Sequence, residues 1–292
     1  MLISQIMNDY VILTESTSDL PPEIIKEIQI DFLPLKFMIG GKTYADGEMN
    51  SIEFFDKLKS GALPTTSQIN PEEFEEFFSK YLDEGKDILY ISFSSALSGT
   101  CNSAHVAAKE LSKKYPDNKI VVVDSLSASL GEGLLIYLLA EKKQNGESLE
   151  DLAKWAEENK KKVCHWFIVE DLGHIQRGGR ISKTAAFLGS ILQIKPVLHV
   201  DDEGKLSIVE KVRGRQKAID YMIDKMEKTG VNLSEQVIAI SHGDCEEDAK
   251  NIAEKIKARF NVKKVIINYI GSVIGSHAGA GTLALFFLGN QR

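Results

Sequence analysis

Two uninterrupted apolar runs, Ile-Leu-Tyr-Ile at residues 88–91 and Ile-Val-Val-Val at residues 120–123, constrain the fold of this chain more than any other feature. A strand with one wet face alternates polar and apolar residues, so a run without alternation belongs to a strand covered on both faces. A helical pattern follows each run, and repeated β–α units of this kind build a parallel sheet with right-handed crossovers. Residues 11–13 supply another strand, then a polar turn at 14–19, then Pro21 and Pro22, which suit the first turn of a helix. Residues 32–39 read as one strand ending at Gly40 and Gly41. Phe54, Phe55 and Leu58 mark one helix face, and Phe74, Phe77, Phe78, Tyr81 and Leu82 mark another. Aromatic stripes at this spacing read as core packing.

The second half has a different texture. Residues 148–162 form a charged helix pattern ending in three lysines, and residues 166–169 are strand-like. Residues 196–200 and 205–211 flank the polar turn at 201–204, which predicts a hairpin. Helix patterns at 218–226 and 249–260 alternate with strand patterns at 237–240 and 265–267. The expected architecture is an N-terminal parallel-sheet α/β domain over residues 1–161, followed by a C-terminal α+β domain over residues 162–292. A length of 292 residues accommodates both, at ~150 residues per domain.

Composition excludes classes without naming a function. The 35 Lys and Arg against 42 Asp and Glu leave a net charge of −7, which argues against binding nucleic acid or an anionic membrane surface. Cys101, Cys164 and Cys245 lie far apart, so neither a disulfide framework nor a zinc site is expected, and a reducing cytoplasm is. The opening ten residues lack the basic stretch and apolar run of a signal peptide. Apolar stretches such as 134–140 and 283–288 fall far short of the ~20 residues that span a bilayer, so no integral membrane association is expected.

Phosphate-loop, zinc-protease and nucleophile-elbow motifs do not occur. Gly-Ala-Gly-Thr-Leu-Ala at 279–284 formally fits a dinucleotide pattern, but the chain ends before an acidic ribose partner could follow. Asp201, Asp202 and Glu203 are better explained by a hairpin turn than by a metal. Three polar clusters are more informative. Thr65-Thr66-Ser67-Gln68 lies between Pro64 and Pro71, and taken alone it reads as a helix cap. Ser94-Ser95-Ala96-Leu97-Ser98-Gly99-Thr100 follows a buried strand and opens a helix, where hydroxyls and free N–H groups suit a small anion. A ligand site and a capping loop weigh equally there. The third cluster joins Gly178-Gly179-Arg180 to the glycine-rich segment around His277. Arg180 can hold a carboxylate or phosphate bidentately, and His277 sits among small neighbours that leave it open to a cleft. Either residue can equally be structural, and His242 at a strand end is a weaker candidate of the same kind.

Taken in order, these clusters form a set. Thr66-Ser67-Gln68, the Ser94 to Thr100 run, Asp124-Ser125, Leu172 with Gly178-Gly179-Arg180-Ile181, Lys195-Pro196, and Ile274-Gly275-x-His277-x-Gly279-x-Gly281 together resemble the DegV family of bacterial fatty-acid-binding proteins. The resemblance covers residues 11–288. It implies an acyl chain held between the two domains, with no cofactor, no metal and no catalytic residue of the chain's own. It also implies similarity to the lipid-carrying subunit of bacterial fatty acid kinase, in which a separate kinase subunit phosphorylates the presented carboxylate. By motif, the carboxylate is expected at Thr66 or Ser67 and at Ser95, with Ser94 and Ser98 as neighbours and Arg180 and His277 close by. Residues 187–194 and 283–288 could line the channel or simply be core. The sequence departs from the family pattern at Glu15, at Ile69-Asn70 and at Ala280, where an aspartate, a Pro-Ser pair and a proline are usual. The alternative function is a stand-alone hydrolase or phosphotransferase using His277 and Arg180, although no complete nucleophile–base–orienter set is identified.

Overall fold

A computed structural model gives the structure of residues 9–181 and 194–292. The first half runs β1 (Tyr10–Glu15), α1 (Pro22–Ile28), β2 (Asp31–Leu33), β3 (Lys36–Ile39), β4 (Lys42–Ala45), α2 (Ser51–Lys59), β5 (Thr65–Ser67), α3 (Pro71–Leu82), β6 (Asp87–Ser92), α4 (Thr100–Lys114), β7 (Ile120–Asp124), α5 (Leu130–Gln144) and α6 (Leu149–Asn159). It continues with β8 (Val163–Ile168), α7 (Leu172–Arg177), β9 (Ile194–Val200), β10 (Leu206–Arg213), α8 (Arg215–Thr229), β11 (Val237–His242), α9 (Glu246–Phe260), β12 (Lys264–Tyr269), α10 (Ser272–Ala278) and β13 (Leu283–Leu288).

The apolar runs at 88–91 and 120–123 become β6 and β7, inside a four-stranded parallel sheet of order β2-β1-β6-β7. β6 is buried along its whole length, as its lack of alternation requires. The C-terminal part is a mixed six-stranded sheet of order β10-β9-β8-β13-β11-β12, and the expected hairpin is its β9–β10 edge. A small antiparallel sheet, β4-β3-β5, makes the third layer. The chain is therefore α/β in its N-terminal part and mixed in its C-terminal part.

Two local readings change. The single strand expected at 32–39 is two, because Pro34 brings no N–H to a ladder and the Leu35 N–H goes to Ser16 Oγ at 3.1 Å instead. β2 stays in the parallel sheet, while β3 joins the small one. The cap of α3 is Asn70 rather than the Thr-Thr-Ser cluster. Its side chain accepts from the Glu73 N–H at 2.9 Å, and Glu73 accepts from the Asn70 N–H at 3.0 Å. With the helix end satisfied, Thr65–Ser67 is free to pair with β3.

The outer face of the six-stranded sheet has a cluster of its own, with Trp166, Ile168, Met222 and Ile252, but the core between the sheets is shared. Ten of the fifteen residues of α5 are buried, and they lie all round the helix rather than on one stripe. Leu134, Leu135 and Leu139 share one hydrophobic cluster with Leu89 and Ile91 of one sheet and with Phe167, Ala239 and Phe286 of the other. Ile270 and Val273 cross in the opposite sense, packing into the cluster of Phe37, Phe54 and Phe55.

Candidate functional site

Strand order places the site. β2 and β6 lie on opposite sides of β1, so the chain reverses direction in the sheet there, and a crevice opens beyond the carboxyl ends of β1 and β6. The segments that leave β6 and β7 run into this crevice and meet the inner face of the six-stranded sheet. Between them is a cavity of about 260 Å³. Its walls alternate along the strands as pleating demands. Ala284 and Phe286 of β13 and His165 and Phe167 of β8 point in, joined by Val200 and Leu206 from the hairpin. Leu35, Ile270, Val273 and Ile274 close the opposite side.

One end of the cavity is polar. Thr66 is the inward residue of β5, flanked by exposed Thr65 and Ser67, and its Oγ1 lies 2.8 Å from His277 Nε2. His277 rides on the last turn of α10. The first turn of that helix is held by Asp46, which accepts from the Ser272 N–H at 2.9 Å, while Asp19 accepts from the Gly271 N–H at 2.9 Å. Burial and the nearby Arg180 charge push the His277 pKa down to about 4, so its ring is neutral at pH 7. Its Nδ1 is buried and has no partner among the described residues. A Cβ at position 178 would stand 2.1 Å from that nitrogen, so Gly178 is what lets the ring lie here. Arg180 Nε donates to the Leu97 carbonyl at 3.1 Å, and its Nη1 donates to the Gly178 carbonyl. Among the described residues the guanidinium is thus held by backbone carbonyls, and no acid pairs with it. Ser98 and Gly99, from the loop after β6, complete this end with exposed Ser67 and Gln68.

The interior is mostly apolar but not wholly so. Ser129, His165 and Ser241 line it and are buried. Behind the walls lie carboxyls that burial pushes up: Glu15 to about 7, and Asp19 and Glu132 well above the usual range. Glu15 accepts from the Phe93 N–H at 2.6 Å and from Ser92 and Tyr90, which fixes the exit of β6 into the cavity wall.

Of the residues singled out from sequence, Thr66, Ser67, Ser98, Arg180 and His277 line this cavity together. Ser94 and Ser95 lie elsewhere. Ser94 is buried with its hydroxyl donated to the Gly204 carbonyl at 2.8 Å, and Ser95 is exposed with its N–H donated to Asp124 at 3.2 Å. His242 packs against Tyr269, with ring centroids 4.3 Å apart and planes tilted by 53°, away from the cavity lining. Asp201 accepts from the Glu203 and Lys205 N–H groups, the turn expected of it. Of the segment 187–194, residues 187–193 lie outside those described, whereas 283–288 contributes Ala284 and Phe286 to the wall. Sequence reasoning missed Ser129, His165 and Ser241. The available signal was polar residues inside buried elements, His165 in β8 above all.

The arrangement suits an amphipathic ligand with an acidic head. Hydroxyls, a neutral imidazole and a guanidinium stand at the accessible end, and aliphatic and aromatic carbon follows. Thr66 and His277 form a hydroxyl–imidazole pair, but among the described residues no third group meets Nδ1 to orient the ring as a general base. Among the described residues no cluster of His, Cys, Asp or Glu could hold a metal ion, and no helix is long and apolar enough to cross a membrane.

Known proteins share this architecture over nearly its full length. The family model for "Uncharacterised protein, DegV family" matches residues 9–290. A DegV domain-containing protein of Clostridium perfringens is 47% identical over 289 residues, covering 98% of this chain and 99% of the relative. A DegV lipid-binding protein from Thermotoga maritima superposes with a TM-score of 0.86 at 31% identity, over 97% of this chain and 99% of that one. DegV of Bacillus subtilis, a fatty-acid-binding protein, gives 0.84 at 34% identity, over 97% and 100%. The chain belongs to the DegV family.

Proposed function

We propose that this protein binds a long-chain fatty acid in the cavity, with the carboxylate at Thr66, Ser98, Arg180 and His277. The single observation that carries the reading is the polar cluster at one accessible end of a mostly apolar cavity. Each methylene buried there contributes roughly 0.8 kcal/mol. A carboxylate leaving water needs charge-assisted hydrogen bonds, which hydroxyls and a backbone-oriented guanidinium supply. Solved relatives from Thermotoga maritima and Bacillus subtilis, described as lipid- and fatty-acid-binding, support it.

The second element of the proposal is presentation to a partner kinase in the cytoplasm. A carboxylate oxygen would attack the terminal phosphorus of the kinase's ATP as the bond to the ADP oxygen breaks, giving an acyl phosphate. The carrier's residues hold the nucleophile and do no proton transfer, in keeping with an imidazole that no described residue orients. A stand-alone hydrolase or phosphotransferase predicts acyl-phosphate turnover without any partner, abolished by His277→Ala.

Lipid extraction and native mass spectrometry of the purified protein test the first element. A co-purifying or added fatty acid bound one to one is expected, and protein that takes up neither stearate nor oleate overturns the reading. Thr66→Ala with Ser98→Ala should lose at least tenfold in affinity, since a hydrogen bond to a charged group is worth about 1.5–3 kcal/mol. Unchanged affinity would move the head group elsewhere.

A further inference from the structure

The cavity has a built end. Two rows of side chains cross the inner face of the six-stranded sheet, each made of cross-strand partners. Phe167, Ala284 and Ser241 make the first row, and His165 with Phe286 makes the second. Val200 continues the second row, one residue beyond the Trp166–His199 pair, and Leu206 is its partner on the edge strand. All of these residues border the cavity. The next inward pair along the strands, Val163 and Leu288, does not border it. Those two pack instead into the cluster of Leu134, Leu135 and Leu139 on α5. The open space therefore stops at His165 and Phe286, where α5 comes down onto the sheet.

This end is rigid. The His165 ring is held through both nitrogens, with Nδ1 donating to the Val163 carbonyl at 2.9 Å and Nε2 accepting from the Ala128 N–H at 3.4 Å. It abuts Gly131 at the start of α5, where a Cβ would stand 2.1 Å from it. Phe286 meets the imidazole edge to face, with ring centroids 5.3 Å apart and planes at 87°. Both rings are buried in close-packed surroundings, which resist displacement. The opposite, head-group end is marked by Thr282, whose hydroxyl donates to the Ala278 carbonyl at 2.9 Å, next to His277. Four residues of extended chain, about 13 Å, separate Thr282 from Phe286. Ala284 lies midway, and its methyl leaves the passage open there.

Resting on the fatty-acid reading above, we infer that His165 and Phe286 form the stop against which the methyl end of the acyl chain rests, so that this pair sets the longest chain the protein accepts. Such a stop acts sharply. Each methylene added short of the wall gains about fourfold in affinity through burial. The first methylene beyond it either displaces packed side chains or is left outside the cavity, and so gains nothing or loses.

Displacement of a fluorescent fatty acid from the intact protein by straight saturated acids, from decanoate to arachidate, tests this. In the wild type, affinity should rise with chain length to an optimum and then fall at least tenfold within the next four carbons. Phe286→Ala should move the optimum at least two carbons longer, because the space of the ring opens to the tail. Ala284→Leu should move it at least two carbons shorter, because the new side chain fills the passage ahead of the wall. Should Phe286→Ala fail to fold, Phe286→Leu and Ala284→Leu carry the same test with the same signs. An optimum that stays in place in either direction overturns the inference. So does an affinity lowered equally at every length, which is what a merely structural role would give. Binding without a movable optimum refutes the stop alone, whereas failure of every acid to bind the wild type refutes the fatty-acid reading itself.

Discussion

His277 uses its two ring nitrogens unequally, one on Thr66 and one on none of the described residues, and its burial has a pH signature. Its folded pKa of about 4 lies below the ~6.5 of an unfolded histidine. Between those values the unfolded chain binds more protons, so this residue's contribution to stability is intact above ~6.5 and is lost as pH falls towards 4. The raised carboxyls Glu15, Asp19 and Glu132 act with the opposite sign, because the folded state keeps protons that the unfolded chain gives up. The difference between wild type and His277→Gln isolates the imidazole. Urea midpoints measured from pH 7 to pH 4 should fall less steeply, or rise more steeply, in the variant. Parallel profiles would mean that the ring is solvated and not desolvated as described.

At the scale of elements, α5 shows propensity overruled by packing. Exchanging an interior helical glycine for alanine ordinarily stabilises by about 1 kcal/mol. Gly131 should do the reverse, since the new Cβ meets the His165 ring at 2.1 Å. Gly131→Ala is expected to lower the melting temperature, and adding His165→Ala should recover part of the loss. Thermal denaturation of the two single variants and the double variant checks this, and additive effects would show that the two residues do not touch. Another case is Thr65–Ser67, whose composition suits a cap but which pairs as a strand because Asn70 and Glu73 already close α3. Which of two competent segments takes a cap depends on where the helix begins, and ±1–2 residues of uncertainty there reassign every hydroxyl nearby.

For the whole molecule, the proposed division at residues 161 and 162 separates two sheet systems, but two of the three hydrophobic clusters cross it. α5 is buried between both sheets, and Ile270 and Val273 return to the first half's aromatic cluster. One cooperative unfolding transition is therefore expected from the intact chain by calorimetry. A fragment of residues 1–161 should lack the cooperative melt and dispersed NMR spectrum of a folded domain, because the α5 surface that packs on the six-stranded sheet would be left in water. A stable, monomeric, dispersed fragment would refute the shared-core description.

By itself, the sequence determined what depends on near neighbours. The unbroken runs at 88–91 and 120–123 required parallel strands, although only β6 is buried throughout and the edge strand β7 is mostly half-buried; the turn at 201–204 required a hairpin, and six motifs in order marked the family. All seven residues expected at the carboxylate sit in those motifs, and the structure brings five of them to one cavity. The tertiary structure alone decided which hydroxyls face that cavity. Ser94, Ser95 and Ser98 are chemically alike in sequence, and only the path of one loop turns Ser94 to Gly204, Ser95 to water and Ser98 to the cavity. The same holds for His165, Ser129 and Ser241, which come from β8, the loop after β7, and β11. Local propensity acts over a few residues, whereas a cavity wall is assembled from strands far apart in the chain, so its chemistry exists only once the sheets have closed on it.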